Sequence, residues 1–317
     1  MPHTITIQAP ARLHFGLLDL RGDLGRRFGG IGAAAPEIVA RVSVSTAGGV
    51  EAVGEDAARA ATFARRFLSH YDVRGGARIV VERAIPPHSG LGSGTQLGLC
   101  VARALAELYE VDATTPELAK SIGRARRSAV GTWTFDGGGF ILEGGHRAEG
   151  DDDVGPLLVR MPFPPSWRCV VAVPAAKPGV SGDEEAEAFA NLPTPNAADV
   201  ERVSHLVLMA MLPALVEGDL AVFGSSLSEV QEINGRWFSH AQGGTFAAGP
   251  STTLIAAMRR LGVPGVGQSS WGPAAYGIVD GDERARSLAA ELRAVVAGGS
   301  IFCGAFPSLG ALIIADR

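Results

Sequence analysis

The stretch that decides the fold is Pro86-Pro87-His88-Ser89-Gly90-Leu91-Gly92-Ser93-Gly94-Thr95-Gln96. Its three alternating glycines carry no side chains, so backbone amides can approach a ligand closely. An apolar helix is predicted to follow at residues 93–109, and its free N–H groups and positive dipole would point into the same space. The loop is therefore predicted to bind a phosphate or pyrophosphate, with the Ser93 and Thr95 hydroxyls available for the anion or a magnesium ion. A plain turn with a serine N-cap is the alternative that this string alone leaves open.

Mixed helix and strand patterns surround the loop and predict an α+β fold. A second helix, near Pro116, is predicted to carry Arg124, Arg126 and Arg127 on a solvated face, and the glycine-rich residues 131–145 are predicted to form two short strands.

A change of composition at residues 151–165, from acidic to proline-rich, predicts a domain boundary. We expect an N-terminal domain at residues 1–160 and a C-terminal domain at residues 161–317. The alternation of strands and helices in the second half predicts a ferredoxin-like arrangement there.

The composition excludes several classes of protein. Of the 317 residues 46% are hydrophobic and 19% charged, which is typical of a packed globular chain, and the net charge is −5. No Lys/Arg-rich run is present, so neither nucleic acid nor an anionic membrane is an expected partner. Cys100, Cys169 and Cys303 show no metal-ligand spacing. No signal pattern or membrane-length apolar run is found, and we expect a cytoplasmic protein.

The loop resembles the second signature of the GHMP kinases, Pro-x-x-x-Gly-Leu-Gly-Ser-Ser-Ala-Ala. The sequence keeps Pro86, Gly90, Leu91, Gly92 and Ser93 and departs from it afterwards. The resemblance implies the GHMP-kinase fold: a mixed N-terminal domain similar to domain 2 of ribosomal protein S5, and a ferredoxin-like C-terminal domain.

A kinase of this family is expected to carry an aspartate in a Ser-Gly-x-Asp segment. The corresponding place reads Ser128-Ala129-Val130-Gly131, without an aspartate. The third signature also departs from the kinase pattern, as Gly265-Val266-Gly267-Gln268-Ser269-Ser270-Trp271-Gly272-Pro273.

Both departures resemble one branch, the β-ribofuranosylaminobenzene 5'-phosphate synthases of tetrahydromethanopterin biosynthesis. That branch has segments similar to residues 11–20 (ARLHFGLLDL) and 25–32 (GRRFGGIG), and a similar Gly-Gln-Ser-Ser-Trp-Gly-Pro string. The resemblance implies a transferase that joins phosphoribosyl pyrophosphate to a para-substituted benzoate and releases pyrophosphate and carbon dioxide. It leaves 4-aminobenzoate and 4-hydroxybenzoate both open. It further implies Mg²⁺ and a homodimer.

The candidate site residues follow from these motifs. Arg12 and His14 alternate along the first strand and should share one face, directed at the sugar phosphate or the benzoate. Asp19 is a candidate magnesium or ribose ligand, or an ordinary turn residue. Arg26 is a candidate phosphate ligand, or a surface charge. The catalytic set is thus predicted as Arg12, His14, Asp19 and Arg26.

The substrate-binding residues are predicted in the two glycine-rich loops. Trp271 would stack on the aromatic ring or shield it from water. The metal ligands are predicted as Ser93, Thr95 and Asp19. The full substrate-binding set is His88, Ser89, Gly90, Leu91, Gly92, Ser93, Gly94, Thr95, Gln268, Ser269, Ser270 and Trp271.

The sequence is also compatible with two other functions. An ATP-dependent small-molecule kinase would need Asp136 or Asp19 to replace the missing aspartate. A non-catalytic binding protein of the same fold would bind ligand without turnover.

Overall fold

Two long antiparallel strands, β1 (Thr4–Asp19) and β2 (Arg26–Ala47), form the centre of the first sheet. The computed structural model describes residues 4–148, 153–175, 187–296 and 298–316. The ladder between β1 and β2 shifts register twice, between Pro10 and Arg12 and between His14 and Gly16. Such irregularities re-aim side chains, and these two bracket the segment that carries Arg12 and His14.

The first sheet has the strand order β12-β1-β2-β4-β3, with β5 and β6 also paired to β2, and β7 paired to β5. Its further strands are β3 (Val50–Gly54), β4 (Gly76–Arg83), β5 (Phe140–Glu143), β6 (His146–Arg147), β7 (Leu157–Met161) and β12 (Leu312–Asp316).

Four helices belong to this half, and the second of them follows the glycine-rich loop as predicted. They are α1 (Ala57–His70), α2 (Ser93–Leu108), α3 (Thr115–Ser121) and α4 (Val130–Gly137). Two expectations were wrong. Residues 131–145 form α4 and β5 rather than two strands. The helix near Pro116 ends before Arg124, because Gly123 adopts the left-handed φ of 72°.

The second sheet is antiparallel, in the order β11-β8-β10-β9. Its strands are β8 (Trp167–Val173), β9 (Gly265–Gln268), β10 (Ala275–Asp280) and β11 (Ser300–Ala305). Helices separate β8 from β9 and β10 from β11, which is the β-α-β-β-α-β sequence of a ferredoxin-like unit. The predicted α+β fold class is confirmed.

Further helices follow β8 in the chain. They are α5 (Ala197–Leu206), a π-helical segment (Val207–Met211), α6 (Leu212–Glu217), α7 (Leu220–Gln242), α8 (Pro250–Arg260) and α9 (Asp282–Arg293). Apolar side chains of α8 and α9 form a separate core with β8, β9 and β10.

The polypeptide passes between the two halves more than once. The last strand, β12, returns to the first sheet and pairs with β1, from Thr4 opposite Asp316 to Gln8 opposite Leu312. The division at residue 160 therefore stays a prediction. In the part of the chain that the structure describes, no helix is long and apolar enough to cross a membrane.

Candidate active site

The glycine-rich loop between β4 and α2 is held against β1. Gly90 and Gly92 have φ of 81° and 75°, in the left-handed region that favours glycine. The backbone N–H of Arg12 donates to Leu91 O at 3.0 Å, and Arg12 Nη1 donates to Gly90 O at 2.7 Å. The guanidinium therefore lies beside the N-terminus of α2, where an anion would bind.

The loop after β9, which carries Trp271, is fastened to the same place. Ser269 Oγ donates to Gly90 O at 2.7 Å, and the backbone N–H of Ala274 donates to Ser89 O at 3.1 Å. A methyl group added to Gly90 would lie 2.1 Å from Ser269 O, so no larger residue fits. The two glycine-rich motifs are thus fastened together, through residues that are 179 positions apart in the chain.

These loops form one side of a cleft of about 1000 Å³. Its other walls come from β1, the loop after α3 and helix α7. Within the described residues, seven basic side chains line it: Arg12, Arg59, Arg66, Lys120, Arg124, Arg126 and Arg127.

Two of these arginines lie directly over the helix N-terminus. A methyl group at Gly94 would lie 2.2 Å from Arg59 Nη2 and 2.6 Å from Arg124 Nη2. Arg59 also pairs with Asp56 at 2.7 Å. The absence of a side chain at Gly94 therefore lets two guanidinium groups reach the place where backbone N–H groups converge.

The cleft has the opposite charge to the protein as a whole. The chain carries a net charge of −5, yet no described residue that lines the cleft is an aspartate or glutamate. A concave site lined by charges of one sign concentrates ligands of the other sign. The geometry is suited to a substrate with several negative charges.

His14 lies in the wall of this cleft and is nearly buried, with 8% of its surface exposed. Its backbone N–H donates to Ser269 Oγ at 3.0 Å, and its Nε2 lies 3.1 Å from Ser128 Oγ. Burial, and to a lesser degree the positive charge of Arg12, lower the pKa of His14 well below its usual value. The imidazole is therefore neutral at physiological pH, with a lone pair on one of its two ring nitrogens.

An aromatic cluster covers one end of the cleft. Trp271 packs edge-on against Phe238, with ring centroids 4.9 Å apart, and against Phe189, at 5.6 Å. The guanidinium of Arg127 lies 4.6 Å from the centroid of Phe189. An aromatic acid would find apolar rings and a positive charge side by side here.

The structure brings most of the predicted residues together. Arg12 and His14 share one face of β1, as predicted. Ser89 and Ser269 are buried and bond within the loops, and Leu91 is fully buried. The predicted residues that line the cleft are Arg12, His14, His88, Gly90, Gly92, Ser93, Gly94, Thr95, Gln268, Ser270 and Trp271.

Two predicted catalytic residues lie outside this lining. Asp19 Oδ1 accepts hydrogen bonds from the backbone N–H groups of Arg21 at 2.6 Å and Gly22 at 3.0 Å, which is the turn role considered above. Arg26 donates to Gly144 O at 2.8 Å and Gly145 O at 2.7 Å. The geometry does not support direct contact of either side chain with substrate.

A protein-held magnesium site does not fit the residues present. Mg²⁺ is usually bound through one or two carboxylates together with substrate phosphates. Ser93 and Thr95 supply only hydroxyls, and the described residues hold no group of three His, Cys, Asp or Glu side chains able to bind a metal. Asp136, the possible substitute in a kinase, instead accepts from Thr115 Oγ1 and Arg160 Nη2, each at 2.8 Å.

Several residues that line the cleft were not predicted from the sequence. Arg124 and its two neighbours were expected on a solvated helix face, but they lie in a loop that faces the cleft. Arg59, Phe189 and Phe238 come from distant segments without a motif, and no local signal could have found them.

A family model described as "GHMP kinases N terminal domain" matches residues 57–139. Solved structures share the fold over the whole chain. Homoserine kinase from Cytophaga hutchinsonii has a TM-score of 0.70 at 17% identity, over 99% of this chain and 98% of its own. Mevalonate diphosphate decarboxylase from Staphylococcus aureus has a TM-score of 0.68 at 13% identity, over 99% and 98%. At these identities the likeness concerns the fold alone.

More similar sequences are found among archaeal enzymes. The β-ribofuranosylphenol 5'-phosphate synthase of Methanothermobacter thermautotrophicus is 34% identical, covering 98% of this chain and 98% of its own. The protein of the same name from Archaeoglobus fulgidus is also 34% identical, covering 87% and 88%. A 4-diphosphocytidyl-2-C-methyl-D-erythritol kinase from Geobacillus kaustophilus is more distant, with 28% identity over 70% of this chain and 66% of its own.

Proposed function

The chain belongs to the family of β-ribofuranosylphenol 5'-phosphate synthases, and on that premise we propose that it joins phosphoribosyl pyrophosphate to 4-hydroxybenzoate. The products would be a C-riboside phosphate, pyrophosphate and carbon dioxide, in tetrahydromethanopterin biosynthesis. The word phenol in the relatives' name favours 4-hydroxybenzoate, and 4-aminobenzoate is the alternative acid.

The observation that carries the proposal is the charge of the cleft. Phosphoribosyl pyrophosphate presents a 5'-phosphate and a pyrophosphate at separate places, and the benzoate adds a carboxylate. Seven basic side chains and the α2 N-terminus converge on one cleft whose described lining has no carboxylate. This lining supports the binding of substrates that carry several negative charges.

Pyrophosphate is placed at the N-terminus of α2, between Arg59 and Arg124. When the bond from C1' to pyrophosphate breaks, its electron pair leaves with the pyrophosphate oxygen, and positive charge develops on the ribose. Fixed N–H groups and guanidinium groups stabilise that leaving group. They need little rearrangement, because the loop is already fastened to β1 and to the loop after β9.

The benzoate is placed at the aromatic cluster of Phe189, Phe238 and Trp271. Arg127, which lies over Phe189, would pair with the carboxylate. The ring carbon that bears the carboxylate attacks C1', and loss of carbon dioxide then returns an electron pair to the ring. Because carbon dioxide leaves in place of a proton, the reaction needs no base at that carbon.

Magnesium is proposed only as part of the substrate, bound to its pyrophosphate, since the cleft offers the ion no carboxylate. A homodimer and a cytoplasmic location stay predictions from the sequence. The kinase alternative finds no support in the cleft, because Asp19 and Asp136 both bond elsewhere.

The test is to incubate the protein with magnesium, phosphoribosyl pyrophosphate and carboxyl-labelled 4-hydroxybenzoate, with 4-aminobenzoate in parallel. We expect labelled carbon dioxide and pyrophosphate in equal amounts, and only with both substrates. Arg124→Gln should lose most of this activity, whereas Arg78→Gln, an exposed arginine of β4, should keep it. No carbon dioxide from either acid, in folded protein, would refute the proposal.

A further inference from the structure

A buried glutamate lies behind the cleft and has no role in the function proposed so far. Glu143, the last residue of β5, is 0% exposed. Its Oε2 accepts from the backbone N–H of Gly145 at 2.7 Å, and its Oε1 accepts from that of Ala129 at 3.2 Å. A carboxyl group this deeply buried carries a large desolvation cost, so its placement calls for an explanation.

Ser128 lies between this carboxyl group and the cleft. Its Oγ accepts from the backbone N–H of Val130 at 3.3 Å and lies 3.1 Å from His14 Nε2. The Ser128 hydroxyl also lowers the pKa of the Glu143 carboxyl group. A methyl group at Gly30 would lie 2.6 Å from Glu143 Oε1 and 2.9 Å from Ser128 Oγ, so glycine keeps the space beside this contact open. Ser128 thus lies between the buried carboxyl group and His14, which lines the cleft.

Resting on the proposed function, we propose that Glu143 and Ser128 are positioning residues that hold His14 as the base for the phenol proton of 4-hydroxybenzoate. With Glu143 ionised, the Ser128 hydroxyl donates to the carboxylate, and His14 Nε2–H donates to Ser128 Oγ. The lone pair is then on Nδ1, the other ring nitrogen of a side chain that lines the cleft.

The phenol O–H bond breaks and its proton moves to His14 Nδ1, while the oxygen electrons push through the ring to the carbon that bears the carboxylate. That carbon forms a bond to C1' as pyrophosphate leaves with its electron pair. The bond to carbon dioxide then breaks, its electrons restore the aromatic ring, and the proton returns from His14 to the phenolate oxygen. No oxidant or further reactant is needed.

Protonation of Glu143 reverses the direction of the hydrogen bonds between Glu143, Ser128 and His14. The carboxylic acid donates to Ser128 Oγ, the Ser128 hydroxyl donates to His14 Nε2, and the proton of the imidazole moves to Nδ1, which can no longer accept one. Burial raises the pKa of Glu143 to about 7, against the backbone hydrogen bonds, Ser128 and the charge of Arg26, which lower it. The other charged group facing these three side chains is Arg12, beside His14.

Glutamine at position 143 is the neutral counterpart of the protonated acid, and its amide nitrogen, when turned toward Ser128, can only donate. The Glu143→Gln variant should therefore hold His14 permanently with the proton on Nδ1. The tautomer can be read from the ¹⁵N chemical shifts of histidine-labelled protein, with the His14 signals assigned from a His14→Asn variant. At pH 8 we expect Nε2–H in the natural protein and Nδ1–H in Glu143→Gln.

The kinetic test compares the two acids. The amino group of 4-aminobenzoate pushes its lone pair into the ring without first losing a proton, so its turnover should depend little on His14. We expect Glu143→Gln and Ser128→Ala to lower kcat at least tenfold with 4-hydroxybenzoate and less than threefold with 4-aminobenzoate. The KM for phosphoribosyl pyrophosphate should not change. In the natural protein, kcat with 4-hydroxybenzoate should rise with pH around 7, and this rise should be lost in Glu143→Gln.

Equal losses with both acids would overturn the inference, as would Nδ1–H in the natural protein at pH 8. A pH profile unchanged by Glu143→Gln would overturn it as well. These outcomes differ from failure of the proposed function, in which the natural protein would release no carbon dioxide from either acid. That failure would also remove the base role.

Discussion

The Glu143→Gln variant is expected to gain stability relative to the natural protein as the pH rises from 5 to 8. Glu143 is buried in β5, and its pKa is raised from 4.5 to about 7. When folding raises the pKa of a group, the protonated group contributes its full stability at a pH below its pKa in the unfolded chain. That contribution is lost as the pH rises through the pKa of the group in the folded protein. Glutamine has no ionisation and so removes this pH dependence.

The size of the effect follows from the two pKa values. A change from 4.5 to about 7 corresponds to about 3 kcal/mol between the protonated and ionised forms. About 1 kcal/mol is already lost at pH 5, where the unfolded chain is partly ionised, and nearly all of it at pH 8. The difference in unfolding free energy between variant and natural protein should thus change by about 2 kcal/mol over this range, in favour of the variant.

Urea unfolding of both proteins at pH 5, 6, 7 and 8, followed by circular dichroism, measures this difference. Glu51→Gln, a change at an exposed position of β3, provides the control and should track the natural protein at every pH. A difference between Glu143→Gln and the natural protein that stays constant with pH would refute the reasoning. It would mean that Glu143 ionises as freely in the folded as in the unfolded chain.

Three further outcomes are expected. Gly90→Ala should lower the unfolding free energy by more than about 2 kcal/mol. The left-handed backbone alone costs about 1–2 kcal/mol with alanine, and the added methyl group also lies 2.1 Å from a carbonyl oxygen. Gly48→Ala, where the added methyl group has no neighbour, should leave the unfolding free energy unchanged in the same urea titration. Trp271→Leu should raise the KM for the benzoate about 3- to 10-fold through loss of ring contacts, and an equal rise for phosphoribosyl pyrophosphate in steady-state assays would contradict this placement. Cys303, which is partly exposed, should react with a thiol reagent in native protein well before Cys100, whose pKa is raised by burial. Equal reaction rates of the two cysteines, measured by peptide mass after the reaction is stopped, would contradict the burial of Cys100.

The sequence was most informative where function depends on backbone. The glycine-rich loop could be predicted because its glycines and the helix behind it are adjacent in the chain. The cationic wall could not, since Arg59 comes from α1 and Arg124 from a loop that exists only because α3 ends before Gly123. Asp19 and Arg26 lie within a matching motif, but Asp19 accepts from the nearby backbone N–H of Gly22, and Arg26 donates to the backbone carbonyl of Gly144, far away in the chain.

Glu143 shows a different limit of sequence reasoning. It is the last residue of the short apolar strand Phe140–Glu143 and precedes two glycines, a pattern that is typical of an ordinary strand end. Its importance depends on Ser128 and His14, which reach it only through the pairing of β2 with β5 and with β1. The signal that the sequence offers for a special role of Glu143 is a charged residue at the end of an otherwise apolar strand.

The pairing of β1 with β12 has a consequence for synthesis of the protein. β12 (Leu312–Asp316) leaves the ribosome long after β1, since Gln8 and its partner Leu312 are 304 residues apart in the chain. At roughly 5–20 residues per second, that edge of β1 waits for roughly 15 to 60 s. An unpaired strand edge is a template for association with other chains. Nascent chains of this protein should therefore depend on chaperones more than a protein whose neighbouring strands are consecutive.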